Sequence, residues 1–279
     1  MSAILQKKNS GTRHPILAAT ILFGAWIILL ELLSVVVNPL LVSGLSNNSA
    51  WLRFTLELES LVSIVVVVLI GIKFFGNANQ KNSIKCVFLT FFVGLVSGVV
   101  WFILSFGLLN LVGVIDLGGV HNSSLLFVWL SACFINAAFQ EVLVRSYMFD
   151  LLLKGKGAVF ATVVTTVLFV LFHPGAFMAG PIAVLQIAAA SIFLTLLRLV
   201  THGISAPIAA HAVWNMLGGV VFGVVSLADD YPSVFDAQIA GPWFISGGLM
   251  ELEGSLITLL VTCGLCAFML VLAHRVRSN

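Results

Sequence analysis

The sequence predicts an all-α polytopic membrane bundle of about eight transmembrane helices. Three observations predict it. The 279 residues are 60% hydrophobic and 9% charged, with a mean hydropathy of +1.15, whereas soluble domains are about 45–50% apolar and about 25% charged. The apolar residues fall into eight runs close to the roughly 20 residues that a helix needs to cross a bilayer. Basic residues concentrate in alternate connectors between those runs, as the positive-inside rule requires of a multi-pass chain. This profile excludes a disordered chain, a nucleic-acid binder built on a basic face and a soluble enzyme with a single anchor.

The runs are 15–37, 54–74, 86–112, 125–153, 157–173, 181–200, 206–227 and 254–273. The first begins at Pro15, is long enough to span, has no convincing small-residue cleavage site after it, and reads as a signal anchor. Asn47-Asn48-Ser49 precedes the second run, and the segment from Asn77 to Ser83 separates it from the third. Asn122-Ser123-Ser124 opens the fourth, and Gly155 parts it from the fifth. Pro174-Gly175 ends the fifth, Gly180-Pro181 starts the sixth, and Gly203 with Pro207 starts the seventh. The connector 228–253 is acidic and glycine-rich; it is expected to lie on the headgroups, with Trp243 and Phe244 as interfacial anchors.

With eight spans, Lys7, Lys8, Arg13, Lys73, Lys81, Lys85, Lys154, Lys156, Arg198, Arg275 and Arg277 all fall on one side. Asp116, Asp229, Asp230, Asp236, Glu251 and Glu253 fall on the other, and Arg53 and Arg145 are the exceptions among the basic residues. The N- and C-termini are therefore expected to be cytoplasmic, in a multi-pass cell-membrane protein, with the plasma membrane as its compartment if the source is bacterial. Residues 1–279 form a single integral membrane domain with a motif-bearing core at about 125–227. Cys86, Cys133, Cys263 and Cys266 lie in or beside apolar runs, away from an oxidising aqueous space. Cys263-Gly-Leu-Cys266 has no second pair and reads as small buried helix residues.

An ionisable group in hydrocarbon costs roughly 2.5–3.5 kcal/mol on insertion scales, so each one asks for a partner or a role. The intramembrane set comprises Glu31, Glu57, Glu59, Gln140, Glu141, Arg145, Asp150, His173, His211 and Asn215. Glu141 and Arg145 are i, i+4 and share a helix face, as a buried ion pair would. His211 and Asn215 share another face at the same spacing. Three spans thus bring ligand-type residues: Glu141, His173, His211 and Asn215 make a candidate metal set. Two neutral imidazoles with oxygen donors suit zinc with a position left for water, and a nearby carboxylate can take that water's proton. The expected chemistry is hydrolysis inside a membrane. The plainer alternative is an ion pair and two packing histidines.

Gln140-Glu141-Val-Leu-Val-Arg145, Phe169-Val-Leu-Phe-His173 and His211-Ala-Val-Trp-Asn215 resemble three motifs of the CAAX protease and bacteriocin-processing (CPBP, or Abi) family of intramembrane metalloproteases: Glu-Glu-x-x-x-Arg, Phe-x-x-x-His and His-x-x-x-Asn. They stand in the family's order on spans four, five and seven. The resemblance implies an endopeptidase acting on membrane-associated or prenylated peptide substrates. It implies that His173 and His211 hold metal or water, that Asn215 polarises the oxyanion, that Glu141 is the base and that Arg145 orients Glu141. Bacterial members of the family are also linked to bacteriocin maturation and self-immunity.

The chain departs from the pattern at Gln140, which stands at the family's first glutamate and cannot accept a proton, and at Ser146, where the family usually has glycine. Three outcomes follow: Glu141 acts as base, the enzyme is slow, or the chain binds without cutting, as an immunity protein would. A small transporter is a further alternative, though no repeat supports it. Counting along the spans at about 1.5 Å per residue places Glu141 roughly 18 Å, His173 roughly 24 Å and His211 roughly 9 Å from the cytoplasmic side. Tilted spans, or a fifth span starting deep, would be needed to bring them together.

Overall fold

The computed structural model describes residues 14–76, 83–227 and 230–278. Lys7, Lys8, Arg13, Lys81, Asp229 and the side chains of Arg275 and Arg277, all used above for orientation, lie outside the described residues.

The helices are α1 (Pro15–Val36), α2 (Asn38–Leu45), α3 (Ser49–Phe75), α4 (Ile84–Leu111), α5 (Leu126–Arg145), α6 (Tyr147–Lys156), α7 (Ala158–Leu171), α8 (Pro174–Ala179), α9 (Pro181–Thr201), α10 (Ser205–Asn215), α11 (Trp243–Ser246), α12 (Glu251–Gly254) and α13 (Leu256–Ser278). Strands β1 (Ile115–Val120) and β2 (Phe235–Ile239) join two connectors. The helix starts follow from local chemistry. Asn48 caps α3 by accepting from the Trp51 amide, Ser83 caps α4 by accepting from the Cys86 amide, and Pro15, Pro174 and Pro181 sit in first turns where no donor is lost. Among the described residues, six helices are long and apolar enough to cross a membrane: Pro15–Val36, Ser49–Phe75, Ile84–Leu111, Leu126–Lys156, Pro181–Thr201 and Leu256–Ala273. The chain is an all-α polytopic membrane bundle. The other two expected runs take shorter forms. Run 157–173 becomes the 14-residue α7, about 21 Å long at the helical rise, and run 206–227 becomes α10 continued by a π-helical turn, Met216–Val221.

Two backbone breaks shape the centre of the bundle. The fourth span stops being regular at Ser146, between α5 and α6, where the Ser146 hydroxyl donates to the Val142 carbonyl. His202, in the left-handed region at φ 53°, turns the chain from α9 into α10. α10 then packs along α4 at glycine spacing. A Cβ on Gly94 would run into the Ala206 backbone, and one on Gly98 would lie 2.7 Å from the Ala210 carbonyl oxygen. Small residues on both helices let the backbones approach closely, the usual packing solution where lipid gives no hydrophobic drive. Below this contact Trp101 stacks on Trp214 with ring centroids 3.9 Å apart and donates to Thr262 on α13.

The connectors depart from expectation. β1 and β2 pair antiparallel, Ile115 opposite Ile239, so a small ribbon ties the connector after α4 to the connector before α11. The described part of connector 228–253, residues 230–253, expected to lie on the headgroups, instead packs its end into the bundle. Met250 and Leu252 are buried, the Leu252 amide donates to the Val224 carbonyl, and Trp214 donates to Glu253 at 3.0 Å. Apolar residues at 250 and 252 have core to bury against, and that outweighs the segment's acidic composition. Trp243 and Phe244 are exposed, as interfacial anchors would be. The Cys-x-x-Cys pair lies in α13 as expected, but Cys263 is exposed on the helix exterior, not buried, while Cys266 directs its thiol to the Ala189 carbonyl.

Candidate active site

The site is built around α5, whose last two turns carry Gln140, Glu141 and Arg145. Glu141 and Arg145 are both fully buried, and Arg145 Nη1 donates to Glu141 Oε1 at 2.7 Å. A buried guanidinium is tolerable only when its donors are met, and here each of its three nitrogens has a partner. Nε donates to Thr195 Oγ1 at 3.2 Å, and Nη2 donates to the Ser191 carbonyl and hydroxyl at 2.9 and 2.8 Å. Ser191 and Thr195 stand one turn apart on α9, so Arg145 ties α5 to α9. The two basic residues that broke the charge separation are therefore both paired, since Arg53 meets Glu57 at 3.4 Å and Asp230 at 2.5 Å.

Glu141 Oε1 also receives His211 Nδ1 at 2.9 Å. A carboxylate only accepts, so Nδ1 carries the proton and Nε2 keeps its lone pair. His173 is fixed the same way: its Nδ1 lies 2.6 Å from the Phe169 carbonyl, an acceptor, which again leaves Nε2 as the basic nitrogen. Phe169 brings the parts together. Its ring lies 4.5 Å from the His173 ring, 5.8 Å edge-on from the His211 ring and 4.8 Å beneath the Arg145 guanidinium. His173 sits in the break between α7 and α8, where Pro174 starts a new helix. Asn215 is buried one turn after His211, at the point where α10 passes into the π-helical turn. Such turns occur often at functional sites because they re-aim the side chains around them.

Glu141, Arg145, His173 and His211 thus converge, with Asn215 one turn beyond His211. The depths counted along the spans do not hold. Counting from a surface start fails because α10 begins below the surface: Ser205 is buried with its hydroxyl 2.5 Å from Thr90 Oγ1, and Ala206 is fully enclosed. Gln140 faces elsewhere, toward α3. Its Nε2 donates to Asn136 Oδ1 at 2.9 Å, and Asn136 Nδ2 donates to Glu57 Oε2 at 2.9 Å. Asn136, Ser191 and Thr195 were not among the residues singled out from the sequence. All three are polar residues one turn from another polar residue on the same apolar helix, and that spacing is the signal that could have found them.

A catalytic zinc takes three protein ligands and leaves one position for water. His173 and His211 would supply two through Nε2. Glu141 is held behind His211 and beside Arg145, and among the described residues no group of three His, Cys, Asp or Glu side chains converges on one point. A third ligand to such a zinc would have to be an oxygen donor of the expected set, the Asn215 amide or the buried, unpartnered Glu141 Oε2. An apolar groove lined by Phe127, Leu130, Phe134, Ile135 and Met216 reaches the residue that follows Asn215.

Residues 122–217, about a third of the chain, match the family model described as Type II CAAX prenyl endopeptidase Rce1-like. No curated protein and no solved structure matches the chain. The matched segment holds all three motifs and every residue of the convergent site. The motif-bearing core is thus similar to a family of CAAX-type prenyl endopeptidases, in agreement with the resemblance its motifs carry.

Proposed function

We propose that the protein is an intramembrane endopeptidase that hydrolyses a peptide bond in a membrane-associated substrate of the prenylated CAAX type. The observation that carries the proposal is the 2.9 Å hydrogen bond between His211 Nδ1 and the buried Glu141 carboxylate. It gives His211 the tautomer of a general base and a negative partner for the imidazolium that forms, the role a carboxylate has behind the histidine of a hydrolytic triad. Glu141, expected from the sequence to be the base itself, then acts through His211.

In the reaction, water attacks the scissile carbonyl carbon while its proton passes to His211 Nε2. The charge on the imidazolium is balanced by Glu141, which Arg145 holds in place. His173 Nε2 accepts a hydrogen bond from the water's other O–H, whose hydrogen stays on the attacking oxygen, and so fixes the direction of attack, and the Asn215 amide donates to the oxyanion. Collapse of the tetrahedral intermediate breaks the C–N bond, and the leaving amine takes the proton from His211. No step is routed through a metal.

The test is a liposome assay with purified protein and a peptide offered with and without its prenyl group, products read by mass spectrometry. Wild type is expected to cleave the prenylated peptide in preference, and His211→Ala to lose cleavage. Chelator dialysis is expected to leave the rate unchanged. Stoichiometric zinc that disappears, together with activity, in His173→Ala would restore the metal expected from the sequence. The second reading, a family member that binds without cutting, is favoured by the amide at Gln140; tight prenyl-peptide binding with no product would select it. The plasma membrane is the proposed location if the source is bacterial.

A further inference from the structure

Arg198 stands in the sequence among the charges expected to mark the cytoplasmic side, and Asp150 as an intramembrane carboxylate without a role. In the structure they meet. Arg198 Nη2 donates to Asp150 Oδ1 at 2.8 Å, with the two side chains 15% and 7% exposed. The other arm of the guanidinium reaches the backbone: Arg198 Nε donates to the carbonyl oxygen of Arg145 at 3.3 Å. That carbonyl belongs to the last residue of α5, and the last turn of a helix leaves its carbonyls without intrahelical donors. The fork therefore spans the break at Ser146. One arm rests on the end of α5 and the other in the first turn of α6, where the Asp150 amide donates to the Ser146 carbonyl at 3.0 Å.

One face of α9 holds residue 145 at both ends. Ser191, Thr195 and Arg198 follow one another at spacings of four and three; the first two meet the Arg145 guanidinium, and the third meets the Arg145 carbonyl. Nη1 is the nitrogen left to turn to Glu141, at 2.7 Å. A helix bends where its hydrogen-bond ladder is interrupted. Bending at Ser146 would carry Arg145 away from Glu141, and Glu141 Oε1 away from His211 Nδ1. We propose that Arg198 and Asp150 are positioning residues for the Glu141–His211 pair: they brace the break at Ser146 and so keep Arg145 against Glu141. The inference rests on the peptidase reading above. Neither residue reaches the reacting atoms, and both act through Arg145. The brace also accounts for Asp150, a carboxylate kept in a span against its insertion cost.

Arg198→Lys separates a brace from a plain ion pair. It keeps the charge and a partner for Asp150, but an ammonium is a point donor and lacks the fork that sets one arm on α5 and the other on α6. The kcat for the prenylated peptide is expected to fall by about 10- to 100-fold, the range reached when a catalytic group shifts by up to about 1 Å. KM is expected to stay unchanged, and the thermal midpoint to stay within about 4 °C of wild type. An ion pair that only held helices together would keep its kcat in this variant. Asp150→Leu frees the second arm and should lower kcat by a similar factor, whereas Asp150→Asn, which keeps an acceptor for Nη2, should stay within about threefold of wild type. These two variants carry the comparison if Arg198→Lys does not fold. Wild-type kcat in both Arg198→Lys and Asp150→Leu, or equal losses in Asp150→Asn and Asp150→Leu, overturns the brace and leaves the peptidase intact. A wild type that cleaves nothing, like His211→Ala, overturns both.

Discussion

Glu141 is the residue on which the site turns, because one carboxylate oxygen serves two donors. Arg145 and His211 both bind Oε1, at 2.7 and 2.9 Å. Glu141→Gln keeps the shape and an acceptor for His211 but removes the charge that balances the imidazolium. The expected loss in kcat is on the order of 10³–10⁴, the scale seen when the carboxylate behind a catalytic histidine is made neutral, with KM little changed. Steady-state kinetics on the prenylated peptide checks it. Arg145→Ala does different damage, since it leaves Glu141 buried and uncompensated. A destabilisation of about 3–5 kcal/mol is expected, read as a drop in the denaturation midpoint in detergent. Two pairs of motif residues could be read from the sequence as partners: Glu141 with Arg145, and His211 with Asn215, each one helical turn apart. What could not be read was that Oε1 joins the first pair to the second. That contact depends on how far α10 slides along α5 and α4, and spacing within one helix carries no information about sliding between helices.

Between helices, the slide is set by glycine. Gly94 and Gly98 on α4 leave room for Ala206 and Ala210 on α10, and the first residues of α10 are buried in consequence. Depth counted from a supposed surface start therefore misplaced His211 relative to Glu141. Gly98→Leu would force the two helices apart where the Ala210 backbone lies. A loss of stability of about 1–3 kcal/mol is expected, together with a loss of activity larger than the stability change explains, because the His211–Glu141 distance is set by the same contact. Parallel thermal unfolding and peptide cleavage separate the two effects. The six long helices were legible because length and hydrophobicity are properties of the chain alone. The short α7, the break at Ser146 and the inward packing of the connector before α13 were not. Each depends on what the neighbouring helices leave uncovered.

For the bundle as a whole, the connector before α13, which buries Met250 and Leu252 and brings Glu253 to Trp214, introduces a pH dependence. Burial pushes the Glu253 carboxyl up to about 7, against the stabilising hydrogen bond from Trp214, and neighbouring Glu251 adds to the rise. A carboxyl whose folded value is raised favours folding while it is protonated. Its contribution is complete below the unfolded value of about 4.5 and is lost as pH rises through about 7. The thermal midpoint of the purified protein is expected to fall between about pH 5 and pH 8, and Glu253→Gln should flatten that profile; a profile unchanged in the variant would exclude Glu253 as its cause.

Whether the Glu141–His211 pair activates water is decided by the single-turnover rate of prenyl-peptide cleavage by wild type, His211→Ala and Glu141→Gln, in liposomes at saturating enzyme. If it does, wild type releases product, His211→Ala releases none above background, and Glu141→Gln is slowed by about 10³-fold or more. Cleavage that persists in His211→Ala, or at the wild-type rate in Glu141→Gln, would contradict it.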